Sequence, residues 1–238
     1  MKPLIAIAGV LKEPHPDSAF VYREYFVNEA YTTQIEKAGA LPFILPYLKE
    51  EDIEEQLAPF DALLVPGGAD FNPACYHEEK KDYTVTPDDL MDSYQLELIK
   101  KACSLGKWVF GICRGFQGIN IVCGGTLFQD ILAERPASIS HMRKDCPYKP
   151  VHTVKIEKDS RLFKAFGKTE LEVNSLHHQG IKTLGKNLKP IAFSEDGIIE
   201  GFEGHKILAV QWHPEALTSP FFEYIVSLLK QPDCYFQC

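Results

Sequence analysis

The stretch Lys107–Trp108–Val109–Phe110–Gly111–Ile112–Cys113–Arg114–Gly115–Phe116–Gln117–Gly118–Ile119–Asn120–Ile121–Val122 decides how the chain is read. Trp108–Ile112 is apolar and has strand character. Phe116–Val122 reads as the first turns of a helix. Cys113 stands between them, with Gly111 two residues before and Gly115 two after. A cysteine at such a junction needs a sharp turn, and glycines let the backbone turn and keep side chains out of the way. This is the layout of a nucleophile elbow with sulfur as the nucleophile. The thiol is lifted above the sheet edge, where a helix N-terminus favours its thiolate.

On the N-terminal side of this elbow the pattern alternates. Leu4–Val10 is a buried parallel strand by its unbroken apolar run. A polar stretch with Pro14 and Pro16 reads as a loop. Apolar residues at helical spacing from Arg23 to Ala38 predict a helix ended by Gly39. Leu41–Pro46 is a second strand, Glu50–Leu57 a short helix, and Asp61–Val65 a third strand that runs into Pro66–Gly67–Gly68. A long connection, Ala69 to Pro87, follows; loops of that length tend to be functional. Asp88 or Asp89 caps the next helix, which reaches Gly106. This alternation predicts a parallel sheet covered on both faces.

On the C-terminal side, Gly124 and Gly125 end the elbow helix. Val151–Ile156 predicts an exposed antiparallel strand, and Glu170–Val173 another strand. Pro190–Phe193 and Ile198–Phe202 are strands joined by a turn at Asp196–Gly197. Ile207–Trp212 is the last core strand, delivering His213–Pro214–Glu215, and Phe221–Lys230 is a closing helix. No repeat or linker interrupts residues 1–238, so one domain is expected.

The composition excludes several classes. With 33 acidic against 25 basic residues, a net charge of -8 argues against a nucleic-acid partner. No apolar run has the length of a membrane span, and Met1–Lys2–Pro3–Leu4 lacks the layout of a signal peptide, so a cytoplasmic protein is expected. Seven cysteines are an odd number for a disulfide framework, and free thiols are the default. Cys234 and Cys238 read as a tail rather than half of a zinc site.

A cysteine nucleophile needs a base, and the base an orienting group. His213 and Glu215 lie two apart, on one face of an extended chain, and Pro214 disfavours the helical region for His213. His213 can then face Cys113 while Glu215 accepts its other ring proton. An acyl intermediate also needs two donors for its oxyanion. The Arg114 N–H at the helix start is one, and the Pro66–Gly67–Gly68 turn supplies the other, most simply Gly68.

These pieces, in this order, resemble the class I glutamine amidotransferase superfamily, and within it the γ-glutamyl-γ-aminobutyrate hydrolase family, peptidase family C26. The stretches that carry the resemblance are LVPGGAD (Leu64–Asp70), GICRGFQGINIVCGGTLFQD (Gly111–Asp130), VNSLHHQ (Val173–Gln179) and VQWHPE (Val210–Glu215), with AGALPFILP (Ala38–Pro46) beside them. The resemblance implies an α/β fold: a flavodoxin-like, doubly wound, mostly parallel sheet with helices on both faces and additional antiparallel strands. It implies a Cys113–His213–Glu215 triad, with Gln117, Ser175 and His177 holding the glutamyl end of a small γ-glutamyl amide. It implies no metal, no organic cofactor, no nucleic acid and no membrane, and it leaves a homodimer open. The alternative it carries is a glutaminase subunit delivering ammonia to a separate synthase. A catalytically silent binding protein is a third reading, against which the intact Cys, His and Glu argue. The resemblance is least close in the long loop, where Asn72 and Cys75 flank Pro73.

Overall fold

Leu4–Ala8 is apolar at every position because both of its faces are covered. Ile5 and Ile7 join one buried cluster, Ala6 and Ala8 another. A strand between two helical layers alternates its side chains between two cores. The computed structural model describes residues 1–12, 22–83, 88–136 and 138–231. Its strands are β1 (Leu4–Ala8), β2 (Val10–Lys12), β3 (Glu24–Phe26), β4 (Leu41–Leu45), β5 (Ala62–Val65), β6 (Trp108–Ile112), β7 (Thr126–Phe128), β8 (His152–Ile156), β9 (Glu170–Val173), β10 (Gly180–Thr183), β11 (Lys189–Ser194), β12 (Ile199–Gly204) and β13 (Ile207–Val210). Its helices are α1 (Glu29–Lys37), α2 (Ile53–Leu57), α3 (Asp89–Ser104), α4 (Arg114–Val122), α5 (Ile131–Glu134), α6 (Arg161–Phe166) and α7 (Phe221–Leu229).

Nine strands form one mixed sheet in the order β4-β1-β5-β6-β13-β12-β11-β8-β9. From β4 to β13 every pairing is parallel; from β13 to β9 every pairing is antiparallel. Helices α1 and α7 cover one face, contributing Tyr31, Ile35, Phe221, Phe222 and Ile225 to its core. Helices α2, α3 and α4 cover the other through Leu57, Leu98, Ile99, Phe116 and Ile119. The sheet is thus the doubly wound α/β architecture expected, with an antiparallel extension. Among the described residues no helix is long and apolar enough to cross a membrane.

Several elements depart from the sequence reading. The first helix starts at Glu29, not Arg23, because Asn28 caps it by accepting from the Ala30 N–H at 2.9 Å. Glu24–Phe26 is instead a strand, paired antiparallel with Val10–Lys12. The β8 strand is not exposed: Val154 and Ile156 are core residues. Other elements escaped the pattern altogether, among them α5, α6 and the paired strands β7 and β10. The proline loop at Pro14 and Pro16, part of the Ala69–Pro87 connection, and Cys234 and Cys238 lie outside the described residues.

Gly115 sits where a methyl group has no room. A Cβ there would lie 2.0 Å from the Val65 carbonyl oxygen, and the offending atom is backbone. Gly124, with φ +82° and no atom within 4 Å of the added Cβ, is limited by its dihedral alone. Gly115→Ala is therefore expected to cost about 3 kcal/mol or more in urea unfolding, and Gly124→Ala only about 1 kcal/mol. Equal losses would mean that the close approach at Gly115 does not constrain the fold.

Candidate active site

The parallel strands β5, β6 and β13 are neighbours, so their C-terminal ends bring three sequence-distant segments to one edge. Strand pairing continues to the nucleophile candidate itself: Cys113 N–H donates to Val210 O at 2.9 Å. The chain then turns at Cys113, which takes φ +53° and ψ −105°. Few non-glycine residues adopt a positive φ, and bulky ones do so only under constraint. Neither Gly111 nor Gly115 carries a positive φ. The expectation that glycines make the turn is corrected accordingly: the cysteine makes it, and the glycines provide clearance. A Cβ on Gly111 would meet the Gly115 backbone at 2.7 Å.

Arg114 opens α4, so its N–H has no acceptor within the helix. Its side chain points away into the core. The guanidinium lies 3.7 Å over the Phe71 ring, pairs with Asp92 at 2.5 Å, and donates to Gln95 Oε1. Burial dominates both partners, pushing the Asp92 carboxyl up and the Arg114 guanidinium down, with their mutual attraction opposing it. The facing turn is built to fit. Gly67 N–H donates to the buried Tyr31 hydroxyl at 3.1 Å, leaving Gly68 as the next donor. A Cβ would lie 2.9 Å from His213 Cε1 if placed on Gly67, and 2.8 Å from Arg114 Cδ if placed on Gly68.

His213 and Glu215 do meet, though not through an extended chain. Strand β13 ends at Val210, and Pro214–Ala216 form a single 3-10 turn. That turn brings Glu215 Oε1 to 2.7 Å from His213 Nδ1. Asn174 fixes the backbone here from both sides, donating to His213 O at 3.1 Å and accepting from His213 N–H at 3.0 Å. Burial works against a charged His213, but the charges of Cys113 and then Glu215 outweigh it and hold the imidazole well above its ordinary range.

Two clefts flank this group. One, of about 160 Å³, is lined by Gly68, Asp70, Cys113, Gln117 and His178. The other, of about 290 Å³, is lined by Phe26, Tyr31, Gly67, Tyr148 and His213. Gln117 reaches the first cleft and also donates to Gln211 Oε1 at 3.2 Å. His177 reaches it with Nδ1 bonded to Gln179 O at 2.8 Å. Ser175 is not brought to either cleft; it is fully buried, and its hydroxyl donates to His141 O at 2.8 Å. His178 bridges Asp70 at 3.0 Å and Asp130 at 3.1 Å, which raises its basicity. The described part of the long loop does not border the second cleft. It leans the other way, with Lys81 paired to Glu134 at 2.6 Å and Glu78 to Lys182 at 2.8 Å. Phe26 and Tyr148 line that cleft instead. Tyr31 and Asp92 escaped the sequence reading, and Asp70 and Asn174 stood in its motifs without a role, because each acts on a partner far along the chain.

The model of the peptidase C26 family matches residues 3–215. The chain belongs to the peptidase C26 family. It is 36% identical over 218 residues to the glutamine amidotransferase-like protein YvdE of Lactococcus lactis subsp. lactis, covering 89% of this chain and 91% of that protein. It is 32% identical over 207 residues to the γ-glutamyl-γ-aminobutyrate hydrolase PuuD of Escherichia coli K12, covering 82% and 80%. Among solved structures, a GMP synthase subunit from Thermoplasma acidophilum aligns with a TM-score of 0.64 at 16% identity, covering 97% of this chain and 95% of that one. A glutamine amidotransferase from Thermotoga maritima aligns with a TM-score of 0.59 at 17% identity, covering 90% and 77%. The peptidase C26 fold is therefore that of the glutamine amidotransferases.

The basicity of His213 depends on its two neighbours, and its removal is measurable. A histidine raised above its unfolded value stabilises the fold fully below pH about 6.5, and that contribution is lost as pH climbs through the raised value. Proton NMR titration of His213 should show a strongly raised pKa in the native chain. In Cys113→Ala it should fall, and in Cys113→Ala with Glu215→Gln burial should take it below its ordinary value. An unchanged titration in Cys113→Ala would mean that the thiol is not its partner.

Proposed function

We propose that the protein is a cysteine-dependent hydrolase that cleaves the γ-glutamyl amide bond of small γ-glutamyl amines, such as γ-glutamyl-γ-aminobutyrate, and releases glutamate. The observation that carries this reading is the His213 ring, held by Glu215 at 2.7 Å and raised in basicity by Cys113. Membership of peptidase C26, and relatives named as hydrolases of a γ-glutamyl amide, support it.

In this mechanism the Cys113 thiolate attacks the γ-carbonyl carbon. The N–H groups of Gly68 and Arg114 receive the developing oxyanion. His213, as imidazolium, gives its proton to the leaving amine, and a thioester remains on Cys113. His213 then takes a proton from water, hydroxide attacks the thioester, and glutamate leaves with the thiolate restored. Glu215 keeps the ring oriented and its charge balanced. The glutamyl end occupies the cleft beside Gln117 and Asp70, and the amine the cleft beside Tyr31 and Tyr148. His177 lines the glutamyl cleft, and Ser175 holds the chain behind it through its bond to His141 O.

The second cleft favours an amine with a body over ammonia, because its apolar walls add contacts to the transition state. Kinetics on the isolated chain should give a higher kcat/KM for γ-glutamyl-γ-aminobutyrate than for glutamine. A preference for glutamine, or turnover only with an added protein, would replace this reading with the glutaminase subunit. His213→Ala should abolish nearly all turnover while Glu215→Gln retains a measurable part; the reverse order would remove His213 as the base.

Thiol chemistry offers a separate check. Burial pushes Cys75 and Cys103 up to about 11 and raises Cys123 as well. Limited iodoacetamide at neutral pH should label Cys113 first, with loss of activity in step. Prior labelling of another cysteine with full activity retained would count against Cys113 as nucleophile.

A further inference from the structure

Behind the glutamyl cleft, three histidines close on one buried carboxylate. Glu200 on β12 is 0% exposed. Its Oε1 lies 3.2 Å from His141 Nδ1, 3.5 Å from His177 Nε2 and 3.7 Å from His152 Nε2. The three imidazoles are themselves almost wholly buried, at 1%, 2% and 4% side-chain exposure. Among the described residues, none of these four facing atoms has a hydrogen-bond partner, nor has Glu200 Oε2. Buried polar groups are rarely left so, because each unmet group costs its full desolvation.

The outer atoms of two rings indicate what the inner atoms present. His177 Nδ1 faces the Gln179 carbonyl at 2.8 Å. A carbonyl only accepts, so Nδ1 carries the proton, and in the neutral ring Nε2 offers a lone pair to Glu200. His141 is held in the same way, with Nε2 on the Asp196 carboxylate at 3.1 Å and Nδ1 turned inward on Glu200. Ring nitrogens of three histidines thus converge on one carboxylate oxygen. A carboxylate or carbonyl behind a ring nitrogen is also the support that metal-bound histidines have.

We propose that His141, His152, His177 and Glu200 form a binding site for one divalent transition-metal ion of the zinc class. Three imidazoles and one carboxylate are the borderline nitrogen and oxygen donors that such ions take. For bonds of about 2.0–2.1 Å, the edge of a tetrahedron is about 3.3 Å. Three of the six edges, those from Glu200 Oε1, measure 3.2 to 3.7 Å and are close to it. The donor atoms of His141, His152 and Glu200 lie within 4.8 Å of one another, so the loaded site is contracted. His141 and His177 also line a cleft of about 320 Å³ beside His178 and Met142, which gives the ion a route in. Four protein ligands leave no open position, so the ion would be structural. It would tie β8, β12 and the His141 segment to the loop that carries Asn174, the residue that grips His213. The inference does not depend on Cys113 being a nucleophile.

The test uses the full chain, stripped with a chelator and titrated with Zn²⁺ against a chromophoric competitor. It is run on the native chain and on Cys113→Ser, so that a thiol cannot supply the binding. The expected result is one tightly held Zn²⁺ in both. Co²⁺ should give the visible bands of a tetrahedral site without a thiolate charge-transfer band. X-ray absorption of the zinc form should show a first shell of nitrogen and oxygen with imidazole scattering. His152→Gln should weaken Zn²⁺ by about 100-fold, since loss of an outer-shell partner alone costs about 10- to 100-fold. If that variant fails to fold, the X-ray absorption of the native chain decides. No zinc retained against the competitor, a sulfur-containing shell, or full affinity in folded His152→Gln would each overturn the site and leave a buried ion pair.

Discussion

A positive-φ backbone at one cysteine organises the molecule. At φ +53° and ψ −105°, Cys113 holds a conformation that costs on the order of 1–3 kcal/mol. Such a conformation persists only where its surroundings over-determine it. Here the residue before the turn is locked into β6, Cys113 N–H is bonded to β13, and Gly115 is pressed against the Val65 carbonyl of β5. Three parallel strands must therefore be assembled before the elbow has its shape. The same three strands carry Leu64, Phe110 and Val210 into the buried core beneath the site.

The buried Arg114–Asp92 pair belongs to the same constraint. Removing two charges from water costs more than their attraction returns in many proteins, so such a pair is poor evidence of stability. Its effect here is positional. Asp92 also accepts the Asn72 N–H at 2.7 Å, and Phe71 packs under the guanidinium. The first helical residue, the start of the long loop and α3 are thereby fastened to one another. The peptide that follows Cys113 cannot rotate without breaking a fully buried network.

The parallel half of the fold was legible because its strands are buried on both faces and read as unbroken apolar runs, as in Ile5–Ala8 and Ala62–Val65. The short antiparallel elements were less so. Gly180–Thr183 has two buried and two exposed residues, too few to show a period. Helix α6 spans six residues, yet its ends were signalled by the Ser160 cap and by Gly167 at φ +66°. At the site, Cys113, His213 and Glu215 were legible because local motifs carry them. Tyr31, Asn174 and the His141–His152–His177–Glu200 cluster were not, since their meaning lies in partners from distant parts of the chain, and sequence spacing says nothing about such pairs. The glycines show a subtler failure. Gly111 and Gly115 pointed to the right turn for the wrong reason, because clearance and dihedral freedom leave the same mark on a sequence.

The two clefts bear on the order of events in the proposed reaction. His213 borders the cleft lined by Tyr148 and Phe26, whereas Cys113 borders the one lined by Gln117 and Asp70. In the proposed reaction the acyl group and the amine are thus assigned to opposite sides of the imidazole. When the amine leaves, it vacates the space next to the ring that has just protonated it. Water enters that same space, and His213, now neutral, is the base beside it. One proton carrier can thus serve both half-reactions without moving, which fits a ring whose other nitrogen is fixed on Glu215 at 2.7 Å and whose backbone is clamped on both sides by Asn174.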